Sequence, residues 1–139
     1  MKRKVLIVTH SDLAEGLAVT IDFFMPGMYE VKTICAFTKC NTVREELEAY
    51  FSAQDPEDEI VAFSDILFGS VNQWLGFYKN RPHYHLFTGT NAPLLLAVLL
   101  KPQDNYLTEE DIQNCITECS SSIIYVNSYQ SSNASEDDE

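Results

Sequence analysis

The stretch Lys4-Val5-Leu6-Ile7-Val8-Thr9-His10-Ser11-Asp12-Leu13-Ala14-Glu15-Gly16-Leu17 changes character at His10. From Lys4 to Val8 it is a short apolar run without alternation, the pattern of a strand covered on both faces. Beyond His10 the spacing is helical, through Leu13, Leu17, Thr20, Ile21 and Phe24. Asp12 with Glu15 three residues on resembles a capping box with Asp in place of Ser or Thr, and Pro26-Gly27 closes the helix. The unit is a strand followed by a helix, with a histidine at the junction.

The same unit recurs along the chain. Tyr29 to Phe37 reads as a strand, and Thr42-Val43-Arg44-Glu45 as a capping box opening a helix through Val43, Leu47, Tyr50 and Phe51. Glu59 to Asp65 is a third strand, Phe68-Gly69-Ser70 a turn, and Val71 to Lys79 a third helix, with Trp74, Phe77 and Tyr78 expected in the core. Tyr84 to Thr88 makes a fourth strand, and Pro93 falls near the first position of a helix from Leu94 to Leu100, where its missing N–H costs nothing. A helix from Thr108 to about Cys119 and a last strand, Ile123 to Val126, complete the pattern. Alternating strands and helices specify an α/β class: a doubly wound, mainly parallel sheet with helices on both faces and a C-terminal antiparallel strand. Residues 1–126 form the domain, and the acidic tail 127–139 is too polar to bury a core and is expected to be disordered.

Composition narrows the partners. The formal charge of −12 over 139 residues argues against nucleic acid. Met1-Lys2-Arg3-Lys4 is followed by too short an apolar run for a signal peptide, and Ala92 to Leu100 falls well below the roughly 18 residues that span a bilayer, so a cytoplasmic protein is expected. Cys35, Cys40, Cys115 and Cys119 match no common zinc spacing and are read as reduced thiols. His83 and His85 sit two apart on a strand, but at its start, and packing is favoured over a metal pair there. No metal and no cofactor is expected.

In a sheet of this kind function gathers beyond the carboxyl ends of the strands. The loops that matter are therefore Thr9-His10-Ser11, Asp65 to Asn72, and Thr88 to Pro93. None contains a nucleotide cradle of the G-x-x-x-x-G-K-[ST] or G-x-G-x-x-G type, and Thr9 and His10 stand where a receiver domain would place acidic magnesium ligands. What remains is His10 with Asp65 as a candidate partner. A carboxylate accepting from Nδ1–H fixes the tautomer and frees Nε2 as a nucleophile, whereas the plainer alternative is a histidine hydrogen-bonded near a helix start. Amides at the helix starts after His10 and Ser70, with the hydroxyls of Thr9, Ser11 and Ser70 and the turn at Gly69, would suit an anion such as phosphoryl.

At these residues the chain resembles the enzyme IIA domain of the mannose family of the bacterial sugar phosphotransferase system, over most of residues 4 to 126. The resemblance is carried by Val8-Thr9-His10-Ser11-x-Leu13-Ala14-x-Gly16-Leu17, Asp65-x-x-x-Gly69-Ser70-x-Asn72 and Gly89-x-Asn91-x-Pro93-Leu94-Leu95. It implies a phosphoryl carrier in which His10 accepts phosphoryl from HPr and passes it to a IIB component while Asp65 orients the ring. It also implies a link to membrane sugar-transport subunits through IIB, and a homodimer in which the last strand pairs antiparallel. Ser11 stands where the family commonly has glycine, and Val71 where it commonly has proline. The phosphotransfer subunit of dihydroxyacetone kinase is similar at the His-Ser start, and a regulatory or docking domain without turnover is the alternative from another class.

Overall fold

The computed structural model describes residues 1–130, in which a four-stranded, all-parallel sheet has the order β2-β1-β3-β4. The strands are β1 (Arg3–His10), β2 (Val31–Ala36), β3 (Glu59–Ser64) and β4 (Tyr84–Phe87). The helices are α1 (Leu13–Phe24), α2 (Val43–Ser52), α3 (Ser70–Gly76), α4 (Ala92–Leu99) and α5 (Glu109–Ser120).

The strands read as unbroken apolar runs because both sides of the sheet are covered. Val5 and Ile7 of β1, with Val61 and Phe63 of β3, pack against Leu17 and Ile21 of α1 and Leu95 and Val98 of α4. Their neighbours Leu6, Val8, Ile60 and Ala62 face Leu47 and Phe51 of α2 and Val71 and Leu75 of α3. Val5 through Val8 are wholly buried, each contributing roughly 1.5–3 kcal/mol of transfer free energy. This strict alternation continues to the end of β1. It sends Thr9 to the α1 side and His10 to the α2/α3 side.

The chain runs from β1 outward to β2 and then returns past β1 to β3. Successive connections thus lead away in opposite directions from the β1–β3 pair, which opens a crevice at its carboxyl edge. His10 ends one of these strands and Asp65 immediately follows the other.

Two helix starts differ from the sequence patterns. Asp12 makes no capping bond; the Thr9 hydroxyl accepts the Ala14 N–H at 2.8 Å instead, while the Asp12 carboxylate accepts from the Thr38 hydroxyl. Thr42 likewise makes no side-chain cap. The complete capping box is at Thr108 and Asp111, whose side chains each accept the other residue's N–H, at 3.0 and 2.9 Å. Phe77 is not in the core but 82% exposed: its backbone is still helical, and two residues beyond the buried Leu75 a helix turns a side chain to the opposite, solvent face.

The expected C-terminal antiparallel strand is absent among the described residues. Ile123 to Tyr125 have no regular structure and Val126–Ser128 form a 3-10 turn, with all four apolar side chains from Ile123 to Val126 exposed. A strand needs a neighbouring edge to supply hydrogen bonds, and this segment pairs with neither edge of its own sheet. Of the acidic tail, residues 131–139 lie outside the described residues.

Candidate active site

The alternation of β1 decides what His10 can touch. Its Nδ1 lies 3.1 Å from Asp65 Oδ2 and 3.2 Å from Oδ1, and its backbone N–H also donates to Oδ2 at 2.9 Å. The Ile66 N–H donates to Oδ1 at 3.0 Å. Two backbone groups therefore fix the carboxylate from the strand ends on either side of the crevice. An ionised carboxylate can only accept, so Nδ1 carries the proton and the lone pair is on Nε2.

Nε2 faces the start of the Gly69 turn. A Cβ at position 69 would lie 3.4 Å from Nε2 and 3.5 Å from Cε1, in contact with that edge of the ring. Gly69 also has φ +119°, a backbone conformation L side chains rarely adopt. Gly69 thus makes the turn into α3 and brings its backbone against the Nε2 edge of the ring. The His10 side chain keeps 35% of its surface exposed and Asp65 only 11%, so the nucleophile is accessible while its partner is sheltered.

The remaining residues expected at the site separate into two groups. Ser11, exposed with φ 59°, and Ser70, half-buried at the first turn of α3, both lie on the loops that bracket Nε2. Thr9 is wholly buried; besides accepting from Ala14 its hydroxyl donates to the Ser11 carbonyl at 3.3 Å. It supports the loop from below, which is the consequence of its odd place in β1.

Sequence reasoning missed Ser64 and Thr90 among the residues that hold Asp65 in place, and gave Asn72, Gly89 and Asn91 no role beyond their motifs. Ser64, fully buried, donates to Asn72 Oδ1 of α3 at 2.8 Å, and its carbonyl accepts from the Thr90 hydroxyl at 2.7 Å. The Gly89 N–H donates to the Asp65 carbonyl at 3.1 Å, and Asn91 caps α4 by accepting the Leu94 N–H at 2.9 Å. The loop after β4 is a brace for the β3 end. A serine closing an otherwise apolar strand is the signal that could have found it. Phe37 was missed as well: its ring stacks on His10 at 5.6 Å between centroids.

His83 and His85 lie at the opposite edge of the sheet. The His83 ring stacks on Tyr106 at 3.7 Å, and His85 Nε2 bonds Glu59 Oε2 at 3.0 Å. Among the described residues, no three His, Cys, Asp or Glu side chains are grouped as a metal ion would require. The four cysteines are free thiols, and no helix among the described residues is long and apolar enough to cross a membrane.

A histidine with its Nδ1 on a carboxylate and its Nε2 beside a glycine, at the switch point of a parallel sheet, is an arrangement that can be compared with known proteins. The family model described as "PTS system fructose IIA component" (EIIA-man) matches residues 4–116. The chain belongs to this family. Residues 4–116 are a mannose-family enzyme IIA domain of the sugar phosphotransferase system (PTS), as the three loops suggested. A structure from Klebsiella pneumoniae, described as a proposed phosphoenolpyruvate-dependent sugar PTS permease, is similar at 29% identity and TM-score 0.82, covering 92% of this chain and 93% of that one. The PTS IIA protein associated with the fucose utilization operon from Streptococcus pneumoniae is similar at 26% identity and TM-score 0.66, over 91% and 95% of the two chains. The mannose/sorbose-specific IIA subunit from Enterococcus faecalis shares the fold, at 14% identity and TM-score 0.70, with coverages of 95% and 100%. No curated protein matches the chain with significance.

Proposed function

We propose that this EIIA-man chain carries phosphoryl on Nε2 of His10, taking it from phospho-HPr and giving it to a IIB component in the cytoplasm. The observation that carries this reading is the asymmetry of the imidazole: Nδ1 is held by Asp65, and Nε2 opens beside Gly69. In the forward step the Nε2 lone pair forms a bond to phosphorus as the donor's N–P bond breaks and its electron pair returns to the donor ring. The His10 ring then bears positive charge, which the Asp65 carboxylate stabilises through Nδ1–H. Release to IIB reverses the sequence. In this reading the hydroxyls of Ser11 and Ser70, on the loops beside His10, meet the phosphoryl oxygens, and Thr9 serves the loop beneath them.

The surroundings suit a protein donor. Phe37, Ile66, Leu67 and Phe68, on the loops bearing or adjoining the site, are 54 to 81% exposed. Such an apolar rim is a docking surface, and the net charge of −12 favours approach by a basic partner face. A homodimer is proposed through Ile123 to Val126, whose exposed apolar side chains would be covered if they paired with a sheet edge of a second copy.

The test is incubation with enzyme I, HPr and labelled phosphoenolpyruvate. Acid-labile label is expected on the wild-type chain and on variants His83→Ala and His85→Ala, and none on His10→Ala. Equal labelling of the His10 variant overturns the assignment, and binding of HPr without labelling of the wild type points to a docking domain.

A further inference from the structure

Phe37 has φ 73°, in the left-handed region where a bulky side chain is a genuine outlier. Burial of a large ring commonly compensates such strain, but Phe37 leaves 54% of its surface in water. The conformation is imposed by the turn after β2. There the Phe37 N–H donates to the Cys40 carbonyl at 3.0 Å, while the N–H groups of Lys39 and Cys40 both reach the Cys35 carbonyl, at 3.1 and 3.0 Å. The turn is tied to the loop after His10 by the Ser11 N–H, which donates to the Ala36 carbonyl at 2.9 Å. What the strain achieves is the placing of one ring. Phe37 lies at 28° to the His10 imidazole and is backed by Trp74 of α3, 6.0 Å away between centroids at 40°.

We propose that Phe37 is a positioning residue for His10, holding the imidazole by one face so that it stays on Asp65 with Nε2 aimed past Gly69. Asp65 holds the ring at Nδ1 alone, so rotation about the bond to Cβ is limited only as tightly as that hydrogen-bonded contact allows. A second contact on the ring face, supported by Trp74, narrows the rotation that remains. Offset aromatic contacts of this kind contribute about 0.5–1.5 kcal/mol beyond burial, which corresponds to about 2–12-fold in rate. The proposal rests on His10 as the phosphoryl carrier, but its geometric part concerns the unphosphorylated ring and is measurable without any phosphoryl donor.

Three variants separate the ring from the strained backbone. Phe37→Ala removes the ring and keeps the strain, Phe37→Gly removes both, and Phe37→Tyr keeps the ring. Single-turnover transfer from phospho-HPr is expected to slow about 2–12-fold in both the Ala and Gly variants and to recover in Tyr. In the same proteins, without HPr, carbethoxylation of His10 by diethyl pyrocarbonate, read by peptide mass spectrometry, is expected to quicken in Ala and Gly only. His83 and His85 serve as internal references whose rates stay constant. Wild-type transfer in Phe37→Gly with slowing only in Phe37→Ala would assign the effect to the backbone and overturn the proposal, as would unchanged His10 reactivity in all variants. If no variant, nor the wild type, accepts phosphoryl, the carrier reading fails while the reactivity measurement still decides the role of Phe37.

Discussion

Two histidine–carboxylate pairs occupy opposite ends of one sheet, and their differences separate a reactive imidazole from a structural one. At the carboxyl edge His10 presents Nδ1 to Asp65 and leaves Nε2 beside a glycine. At the amino edge His85 gives Nε2 itself to Glu59. Glu59 is fully buried and saturated: Arg3 Nε donates to Oε1 at 2.6 Å and the Leu107 N–H to Oε2 at 2.8 Å. Arg3 spends its other nitrogens on the carbonyls of Lys101, Pro102 and Asn105, pinning the segment before α5 to the sheet. Asp65 is held by backbone N–H groups and has no side-chain cation among its hydrogen-bond partners, so its charge remains for the ring. The same two residue types make a brace at one end and a poised nucleophile at the other.

The largest effect is expected where the charge is most deeply enclosed. Glu59→Ala strands Arg3 in the core without its partner, a loss of about 3–5 kcal/mol measured by urea denaturation. The per-molecule transfer rate of the fraction that remains folded should be unchanged. A loss below about 1 kcal/mol would mean water reaches Arg3 and that the amino edge is no brace.

Next in size is Asp65→Asn, which nearly preserves shape, removes the charge and offers the ring a donor that favours the wrong tautomer. Transfer from phospho-HPr should slow about 10²–10³-fold, a loss of roughly 2.7–4 kcal/mol of transition-state stabilisation, with HPr affinity little altered. Stability should fall much less than in Glu59→Ala. A rate within about threefold of wild type would make both pairs structural and erase the contrast.

Acid should expose the same division. Burial alone would push the Glu59 carboxyl up, but the hydrogen bonds from His85, Arg3 and the Leu107 N–H, with the Arg3 charge, outweigh it and hold it below the ordinary value of 4.5. A carboxyl depressed in the folded state contributes stability that is present above its unfolded pKa and is lost as pH falls through the folded one. Unfolding free energy should therefore drop between about pH 5 and the folded titration point. Glu59→Gln should flatten that part of the curve. An acid limb as steep in the variant as in wild type would place the responsible carboxylates elsewhere.

These particulars also show what a sequence can disclose here. The sheet was legible because Val5 to Val8 and Ile60 to Phe63 carry no alternation, which only burial on both faces explains. His10 and Asp65 were legible because strand ends at a switch point need only element order to be placed. The part Thr9 plays at the helix start was not legible, because it depends on which way a strand residue points and residues 9 to 12 offer several side chains able to accept a helix N–H. Phe37 was invisible, since its importance lies in a backbone angle that no residue pattern encodes. The expected final strand failed for a different reason: an apolar run names no partner edge, and among the described residues Ile123 to Val126 pair with neither edge of the sheet.

The smallest effect concerns strain, and here only the carboxyl edge should gain stability from glycine. Ser11 beside His10 has φ 59° and His83 near Glu59 has φ 61°. An L side chain in this region costs roughly 1–2 kcal/mol, of which glycine recovers part while losing more unfolded-state entropy. Ser11 is exposed and its backbone N–H bond to the Ala36 carbonyl survives substitution, so Ser11→Gly should stabilise the fold by about 0.5–1 kcal/mol. His83→Gly relieves similar strain but forfeits the stack on Tyr106, about 0.5–1.5 kcal/mol, and should leave stability unchanged or lower. The strain at Ser11 is then uncompensated by packing, and its retention has to be sought in the hydroxyl. If that hydroxyl meets a phosphoryl oxygen on His10, Ser11→Gly gains stability and loses transfer rate together, by about 0.5–1.5 kcal/mol for one hydrogen bond, or 2–12-fold. A stabilised variant with wild-type transfer would remove Ser11 from the phosphoryl site and leave Ser70 as its hydroxyl.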